Sequence, residues 1–248
     1  MGDVYAEMEI PNYVQSYKST LAQLVATHGR EQGMDLIVGG QYREIGILES
    51  SALLTLGLRP DHAVVDVGCG SGRLAFALRD YLTGKYLGTD ILSEALDYAR
   101  EKCGRADWEF HETFAPVIPL ADGQADLVCF FSVFTHLPDE DVFRFLREAK
   151  RVSRPGTKIV FSYLDFEVPS HWPVFDHMLG DTNPDRPLNR FLSKPAIRRW
   201  CQELGLEIER LYDGSEPWIK LTEDFRYADG RLAAGVVEFG QSVGVLRT

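Results

Sequence analysis

Hydrophobic positions along the chain follow two rhythms. Over the first sixty residues they recur at helical spacing. Tyr13, Tyr17, Leu21, Leu24 and His28 follow at steps of four, four, three and four, which sets them on one face of a helix. After Gly39-Gly40 a second run carries Ile45, Leu48, Ala52, Leu53 and Leu56 and stops at Gly57-Leu58-Arg59-Pro60. Glycine accepts the positive φ of a helix C-cap and proline cannot continue the helix, so the stop has a mechanism.

From Ala63 the rhythm changes. Ala63-Val64-Val65-Asp66-Val67 is a short β-branched run of the kind that forms a buried strand. A glycine loop follows, then a helix bearing Leu74, Ala75, Leu78, Tyr81 and Leu82. Lys85 to Asp90 reads as a second strand, and Ser93 as the N-cap of a helix with Glu94 in its first turn. Trp108 to His111 reads as a short third strand, Ala125 to Phe131 as a fourth and Lys158 to Leu164 as a fifth. A helix opened by Pro138 lies between the last two. Strands alternating with helices predict a parallel sheet covered on both faces. Beyond Asp165 the alternation breaks into a segment rich in Pro, His, Asp and aromatic residues, and long connections of this kind are often lids or binding loops. Ser193 then caps a helix, Leu206 to Leu211 is strand-like, and Gly235 to Leu246 reads as a final extended stretch.

Composition narrows the function classes. The 248 residues are 45% hydrophobic and 25% charged, which is ordinary for a folded domain and argues against disorder. Lys and Arg number 26 against 37 Asp and Glu, a net charge of −11. Phosphate backbones are held by basic stripes. The densest basic stretch, Arg144 to Arg154, carries Glu148 and an amphipathic helix pattern, so it reads as a solvated helix face and nucleic acid is not the expected partner. The longest apolar stretch, Leu127 to Phe134, is broken by Ser132 and is far shorter than the roughly 20 residues of a membrane helix. The start MGDVYAEMEIPNY has acids where a signal peptide has basic residues, and Ala6 stands where myristoylation needs Ser or Thr. Cys69, Cys103, Cys129 and Cys201 are widely spaced and suggest neither a zinc site nor a disulfide framework. These features predict a cytoplasmic protein, monomeric or a homodimer, with no membrane partner.

The most specific feature is Val64-Val65-Asp66-Val67-Gly68-Cys69-Gly70-Ser71-Gly72-Arg73, a strand entering a helix through three alternating glycines. Glycine is needed where backbone takes positive φ or approaches a ligand too closely for a Cβ. The dinucleotide fingerprint GxGxxG places its third glycine where this chain has Arg73; here the spacing is GxGxG. An acid at position 66 also suits a cationic ligand better than a pyrophosphate.

This segment resembles motif I of the class I S-adenosylmethionine-dependent methyltransferases. The resemblance extends to Asp90, 24 residues further on, and to Asp122–Val128 followed by Phe131-Ser132-Val133-Phe134-Thr135-His136-Leu137. It also takes in Arg151–Gly156 and the terminal Phe239–Leu246, and it is strongest over about residues 50–165. It implies a Rossmann-like α/β fold: a doubly wound, mostly parallel seven-stranded sheet with an antiparallel last strand and a helical N-terminal cover. The corresponding division is a helical cap at 1–58 and a methyltransferase domain at 59–248, with substrate insertions at about 166–192 and 213–234.

The implied cofactor is S-adenosyl-L-methionine. By the resemblance, Gly68, Cys69, Gly70 and Gly72 wrap it and Asp66 helps hold its amino-acid end. Asp90 takes both ribose hydroxyls, since a carboxylate accepts two hydrogen bonds from a vicinal diol. Ile91, Thr113, Phe114, Phe131 and Tyr42 complete the expected cofactor set. Phe114 stands where the family often has an Asp for the adenine amino group, so stacking and backbone amides are expected there. Tyr13 and Tyr17 fit either closure over the cofactor or core packing.

The expected acceptor is a small molecule, methylated on O or N by in-line displacement. A hydroxyl acceptor needs a base, for which His136, His171 and Asp165 are the ranked candidates. His171 and His177 lack a third convincing ligand, so no metal is expected. Two alternatives stand beside this reading: an NAD(P)-dependent oxidoreductase, and a cofactor-binding but inactive methyltransferase-like partner subunit.

Overall fold

The structure, a computed structural model, describes residues 12–181 and 189–248, with side chains from residue 14 onward. The expectations for residues 1–11 and for the Tyr13 side chain lie outside the described residues. Three helices open the described chain, α1 (Asn12–His28), α2 (Arg30–Leu36) and α3 (Tyr42–Thr55). The helical run breaks at Gly29, whose φ is 81°, a conformation that ends one helix and starts the next.

The alternating segment follows: β1 (Val64–Val67), α4 (Arg73–Leu78), β2 (Tyr86–Asp90), α5 (Ser93–Cys103), β3 (Glu109–Glu112), β4 (Ala125–Phe130), α6 (Asp139–Val152) and β5 (Ser153–Tyr163). The chain continues through α7 (Trp172–Gly180), α8 (Lys194–Leu204) and β6 (Glu207–Tyr212). Four two-residue strands then precede the last long one: β7 (Ile219–Lys220), β8 (Phe225–Arg226), β9 (Leu232–Ala233), β10 (Val236–Val237) and finally β11 (Ser242–Arg247).

The main sheet has seven strands in the order β3-β2-β1-β4-β5-β11-β6. β11 runs antiparallel to both its neighbours, and every other pairing is parallel. From β1 the chain winds outward to β3 and then crosses back to β4. The switch point therefore lies between the carboxyl ends of β1 and β4, where open α/β sheets leave a crevice. One face of the sheet packs on α6 and α8 through Val142, Leu146, Ile197 and Cys201. The other packs on α3, α4 and α5 through Leu53, Leu74, Leu78 and Leu96. All four residues of β1 are buried, as a strand covered on both faces requires.

Several boundaries differ from expectation. Ser93 is the first residue of α5 and makes no capping bond; Leu92 precedes it. Ser193 does cap α8, its side chain accepting the Ala196 amide at 3.3 Å. The long connection after β5 is not irregular throughout, because it contains α7. Within and just beyond 213–234 the chain forms two small sheets, β7 with β10 and β8 with β9, which bury Ile219, Phe225, Ala233 and Val237 against Ile47, Leu48 and Ala52 of α3. The final extended stretch is consequently split into β10 and β11. Among the described residues no helix is long and apolar enough to cross a membrane.

Candidate active site

A cavity of about 660 Å³ opens at the switch point. Its floor is the glycine loop and the ends of β1, β2 and β4; Tyr17, Thr20 and Leu24 of α1 and Leu36–Gly39 at and beyond the end of α2 form one wall, and α7 forms another.

The loop geometry follows from its composition. Gly68, Gly70 and Gly72 all have positive φ, at 73°, 54° and 84°. A Cβ at Gly68 would stand 2.4 Å from Val133 Cγ2, and one at Gly70 2.4 Å from Val38 Cγ1, so side chains there would fill the cradle. The Gly68 and Cys69 amides donate to the Thr89 carbonyl at 2.7 and 2.9 Å, tying the loop to β2. The Gly70 amide donates to Asp90 Oδ2 at 2.8 Å, and the Leu92 amide to Asp90 Oδ1 at 3.0 Å. The Ile91 amide also bonds this carboxylate, whose two oxygens together offer about four lone-pair directions, so Asp90 keeps accepting capacity toward the cavity. Burial raises its pKa, and the backbone amides oppose that rise.

Asp66 is 3% exposed at the cavity floor. It accepts the Tyr86 hydroxyl at 2.5 Å and the Cys129 thiol at 3.6 Å. Burial pushes its pKa up to about 7, the Tyr86 bond opposes the rise, and nearby Glu49 adds to it. Sequence reasoning missed Glu49 and gave Arg73 no role. Glu49 of α3 is 2% exposed and accepts Arg73 Nη2 at 2.5 Å and Nε at 3.0 Å, while Arg73 Nη1 donates to the Val38 carbonyl. Both line the cavity beside Asp66. The available signal was an acid inside the apolar run Ile47-Leu48-Glu49-Ser50-Ser51-Ala52, which predicts either a break in the buried face or a buried pair.

The structure brings most of the expected cofactor residues to this one cavity. Asp66, Gly68, Cys69, Gly70, Asp90 and Ile91 line it, as do Thr113, Phe114 and Phe131. The Thr113 amide is fixed on the Asp90 carbonyl at 2.9 Å. Phe131 stacks on Phe239 at 5.2 Å, and Lys18 Nζ lies 4.9 Å from the Phe114 ring. Tyr17, close enough to Asp90 for its charge to add to the burial that raises the phenol's pKa, is also on the wall. Two expected residues are absent from the wall. Tyr42 ties neighbouring segments together, its hydroxyl donating to the Ser71 carbonyl at 2.8 Å and its amide to Asp35 at 2.8 Å. Gly72 lies behind the loop, where a Cβ would meet Ala99 at 2.6 Å.

The base candidates separate as clearly. His136 ends a 3-10 turn after β4, lines the cavity and meets the Tyr17 ring edge-on at 5.6 Å. His171 also reaches the wall, but its Nδ1 accepts the Asp165 amide at 2.9 Å and its Nε2 donates to the Gly240 carbonyl at 3.0 Å. Both ring nitrogens therefore bond backbone, and His171 bridges two loops at the edge of the cavity. Asp165 is not on the wall. It is buried, with Oδ1 accepting the Glu167 amide at 2.9 Å and Oδ2 3.5 Å from Lys194 Nζ. Ser132 joins the wall unforeseen. It holds φ at 57°, its amide donates to Ser162 Oγ at 2.7 Å, and its Oγ accepts Gln241 Nε2 at 3.2 Å. No residue-type rule forecasts a serine with positive φ. His177, Met178 and Val174 of α7 complete that side.

S-adenosylmethionine can be tested against this geometry. The bare loop leaves room for a ligand pressed against backbone, Asp90 faces the loop with accepting capacity to spare, and the acids at the floor suit an ammonium. The cavity lies within the ~300–1,000 Å³ usual for small-molecule sites. The residues fit.

A doubly wound sheet whose glycine loop faces a carboxylate across the switch point defines a nucleoside-binding α/β protein. Residues 64–156 match the family described as Methyltransferase domain. Over that stretch the chain is similar to the class I S-adenosylmethionine-dependent methyltransferases. It is 31% identical over 182 residues to a fatty-acid O-methyltransferase of Mycolicibacterium smegmatis, covering 71% of this chain and 65% of that protein. It is 26% identical over 179 residues to the 27-O-demethylrifamycin SV methyltransferase of Amycolatopsis mediterranei, covering 68% and 64%. The chain thus spans just under two thirds of the length of either relative. Among solved structures it is similar in fold to magnesium protoporphyrin IX methyltransferase from Synechocystis with bound S-adenosylhomocysteine. That match has a TM-score of 0.61 and 15% identity, and covers 96% of this chain and 97% of that one.

Proposed function

We propose that the protein transfers a methyl group to an O or N atom of a small-molecule acceptor. The observation that carries this reading is the Gly70–Asp90 hydrogen bond at the mouth of the glycine loop, which presents a half-buried carboxylate to a ligand lying on bare backbone. When bound, S-adenosylmethionine supplies an electrophilic methyl carbon on a sulfonium. The chain's own residues then have three tasks. Asp90 and the loop Gly68–Gly70 fix the nucleoside end, and Asp66 receives the ammonium. The α1, α2 and α7 walls exclude water and hold the acceptor in line, and good alignment is worth several kcal/mol, up to ~11. His136 takes the proton of a hydroxyl acceptor as its oxygen is alkylated; an amine acceptor needs only to arrive deprotonated. Two of the relatives, a fatty-acid O-methyltransferase and a methyltransferase of 27-O-demethylrifamycin SV, favour oxygen.

The test is calorimetric titration with S-adenosylhomocysteine and with NAD, followed by transfer of a radiolabelled methyl group into a fractionated metabolite extract. Binding of S-adenosylhomocysteine but not NAD, with label in small organic molecules, is expected. Binding of NAD instead would make the chain an oxidoreductase. Cofactor binding without transfer to any acceptor would make it an inactive partner subunit.

A further inference from the structure

Helix α7, WPVFDHMLG, is mostly apolar yet buries none of its residues. A helix of that composition ordinarily sets one apolar stripe into a core. This one has two. At 100° per residue Val174 and Met178 share one arc, and Trp172, Phe175 and Leu179 lie on another side. Of the outer set, Phe175 reaches another segment, 5.3 Å from Phe166, on which Phe191 stacks at 4.2 Å; Trp172 and Leu179 stay exposed. The inner set lines the cavity, where Val174 and Met178 remain half-buried and share the space with Leu24, Leu137, Phe145 and Leu164. Apolar surface on an inner wall gains its burial from whatever fills the space.

We infer that the methyl acceptor carries an extended apolar body, an alkyl chain or fused-ring skeleton, that packs between Val174 and Met178 on one side and Leu24, Leu137 and Leu164 on the other, supplying the core that α7 lacks. The inference rests on the cavity's other end holding the methyl donor. A peptide or nucleic-acid acceptor would set polar backbone or phosphate against this stripe, at a desolvation cost with no hydrogen bond in return.

The test uses protein saturated with S-adenosylhomocysteine and the apolar fluorophore N-phenyl-1-naphthylamine, displaced by n-alkanols and n-alkanoates of graded length. Displacement strengthens about fourfold per added methylene, the gain from transferring CH₂ out of water, and then reaches a plateau where the space is full. Met178→Trp and Val174→Trp move that plateau to shorter chains, and Met178→Ala moves it to longer ones, with S-adenosylhomocysteine affinity unchanged. Amide exchange within α7 slows when a long-chain ligand is bound. Displacement indifferent to chain length, or tryptophan variants that fold and keep the wild-type plateau, would overturn the inference while leaving the methyl-donor reading intact. Failure of S-adenosylhomocysteine to bind would strike that reading itself, and this inference with it.

Discussion

In the proposed reading, where Asp66 receives the ligand's ammonium, cofactor binding is a proton-linked event. Burial pushes its pKa up to about 7. The Tyr86 hydroxyl and the Cys129 thiol are its own hydrogen-bond partners, and the Glu49–Arg73 pair sits on the same wall. An ammonium ligand is held by the ionised carboxylate, so binding below pH 7 must expel a proton. Affinity for S-adenosylhomocysteine then falls about tenfold per pH unit below 7 and is flat above it, which makes it roughly thirtyfold weaker at pH 5.5 than at pH 8.5. Asp66→Asn flattens that profile and weakens binding at pH 8.5 by about 1.5–3 kcal/mol, the range for hydrogen bonds to charged groups. Calorimetry in two buffers of different ionisation enthalpy counts the released proton directly. The same shift governs the free protein. The folded chain holds this proton more tightly than the unfolded chain, whose Asp titrates near ~3.9. The stabilisation is therefore complete below about pH 4 and is lost as pH climbs through 7. Relative to Asp66→Asn, urea unfolding of the wild type loses roughly 2–3 kcal/mol between pH 5 and 7.5. Wild-type affinity that is constant from pH 5.5 to 8.5, or a binding enthalpy independent of buffer at pH 6, would refute the reasoning.

Three further perturbations read other parts of the site. Asp90→Ala removes the acceptor of the Gly70 and Leu92 amides and is expected to weaken S-adenosylhomocysteine binding by about 1.5–3 kcal/mol, measured by calorimetry. Glu49→Ala leaves the Arg73 guanidinium nearly buried without its carboxylate, and urea denaturation is expected to show a loss of about 3–5 kcal/mol; an unchanged midpoint would mean the pair is solvated. His171→Ala orphans the Asp165 amide and the Gly240 carbonyl, costing about 1–3 kcal/mol in thermal unfolding, with cofactor affinity within twofold of wild type. A variant that keeps its stability but loses methyl transfer would keep His171 among the catalytic candidates.

The parts of the fold that were legible in the sequence are those fixed by local chemistry. The three glycines of the loop occupy positive φ, a demand that only their residue type meets cheaply, and the Asp at the end of β2 follows from the same unit. The β-branched run of β1 is buried throughout, as its lack of alternation predicts. Features that depend on distant partners were not legible. Glu49 and Arg73 are 24 residues apart and pair only because α3 packs on α4. Tyr42 looked available for a ligand, but its hydroxyl is taken by the Ser71 carbonyl across 29 residues. His171 and Asp165 carry the right functional groups for proton transfer, and backbone atoms at positions 165, 167 and 240 had already taken much of their capacity. α7 was hidden by the Pro, His and Asp residues around it, and its two apolar stripes make sense only beside a cavity.

The most direct measurement is a crystal structure of the protein with S-adenosylhomocysteine. The account predicts both ribose hydroxyls within hydrogen-bond distance, about 2.5–3.0 Å, of the Asp90 carboxylate, with the ligand's backbone-facing edge against Gly68 and Gly70. A ribose bound away from Asp90, or a dinucleotide pyrophosphate seated on the glycine loop in its place, would contradict it.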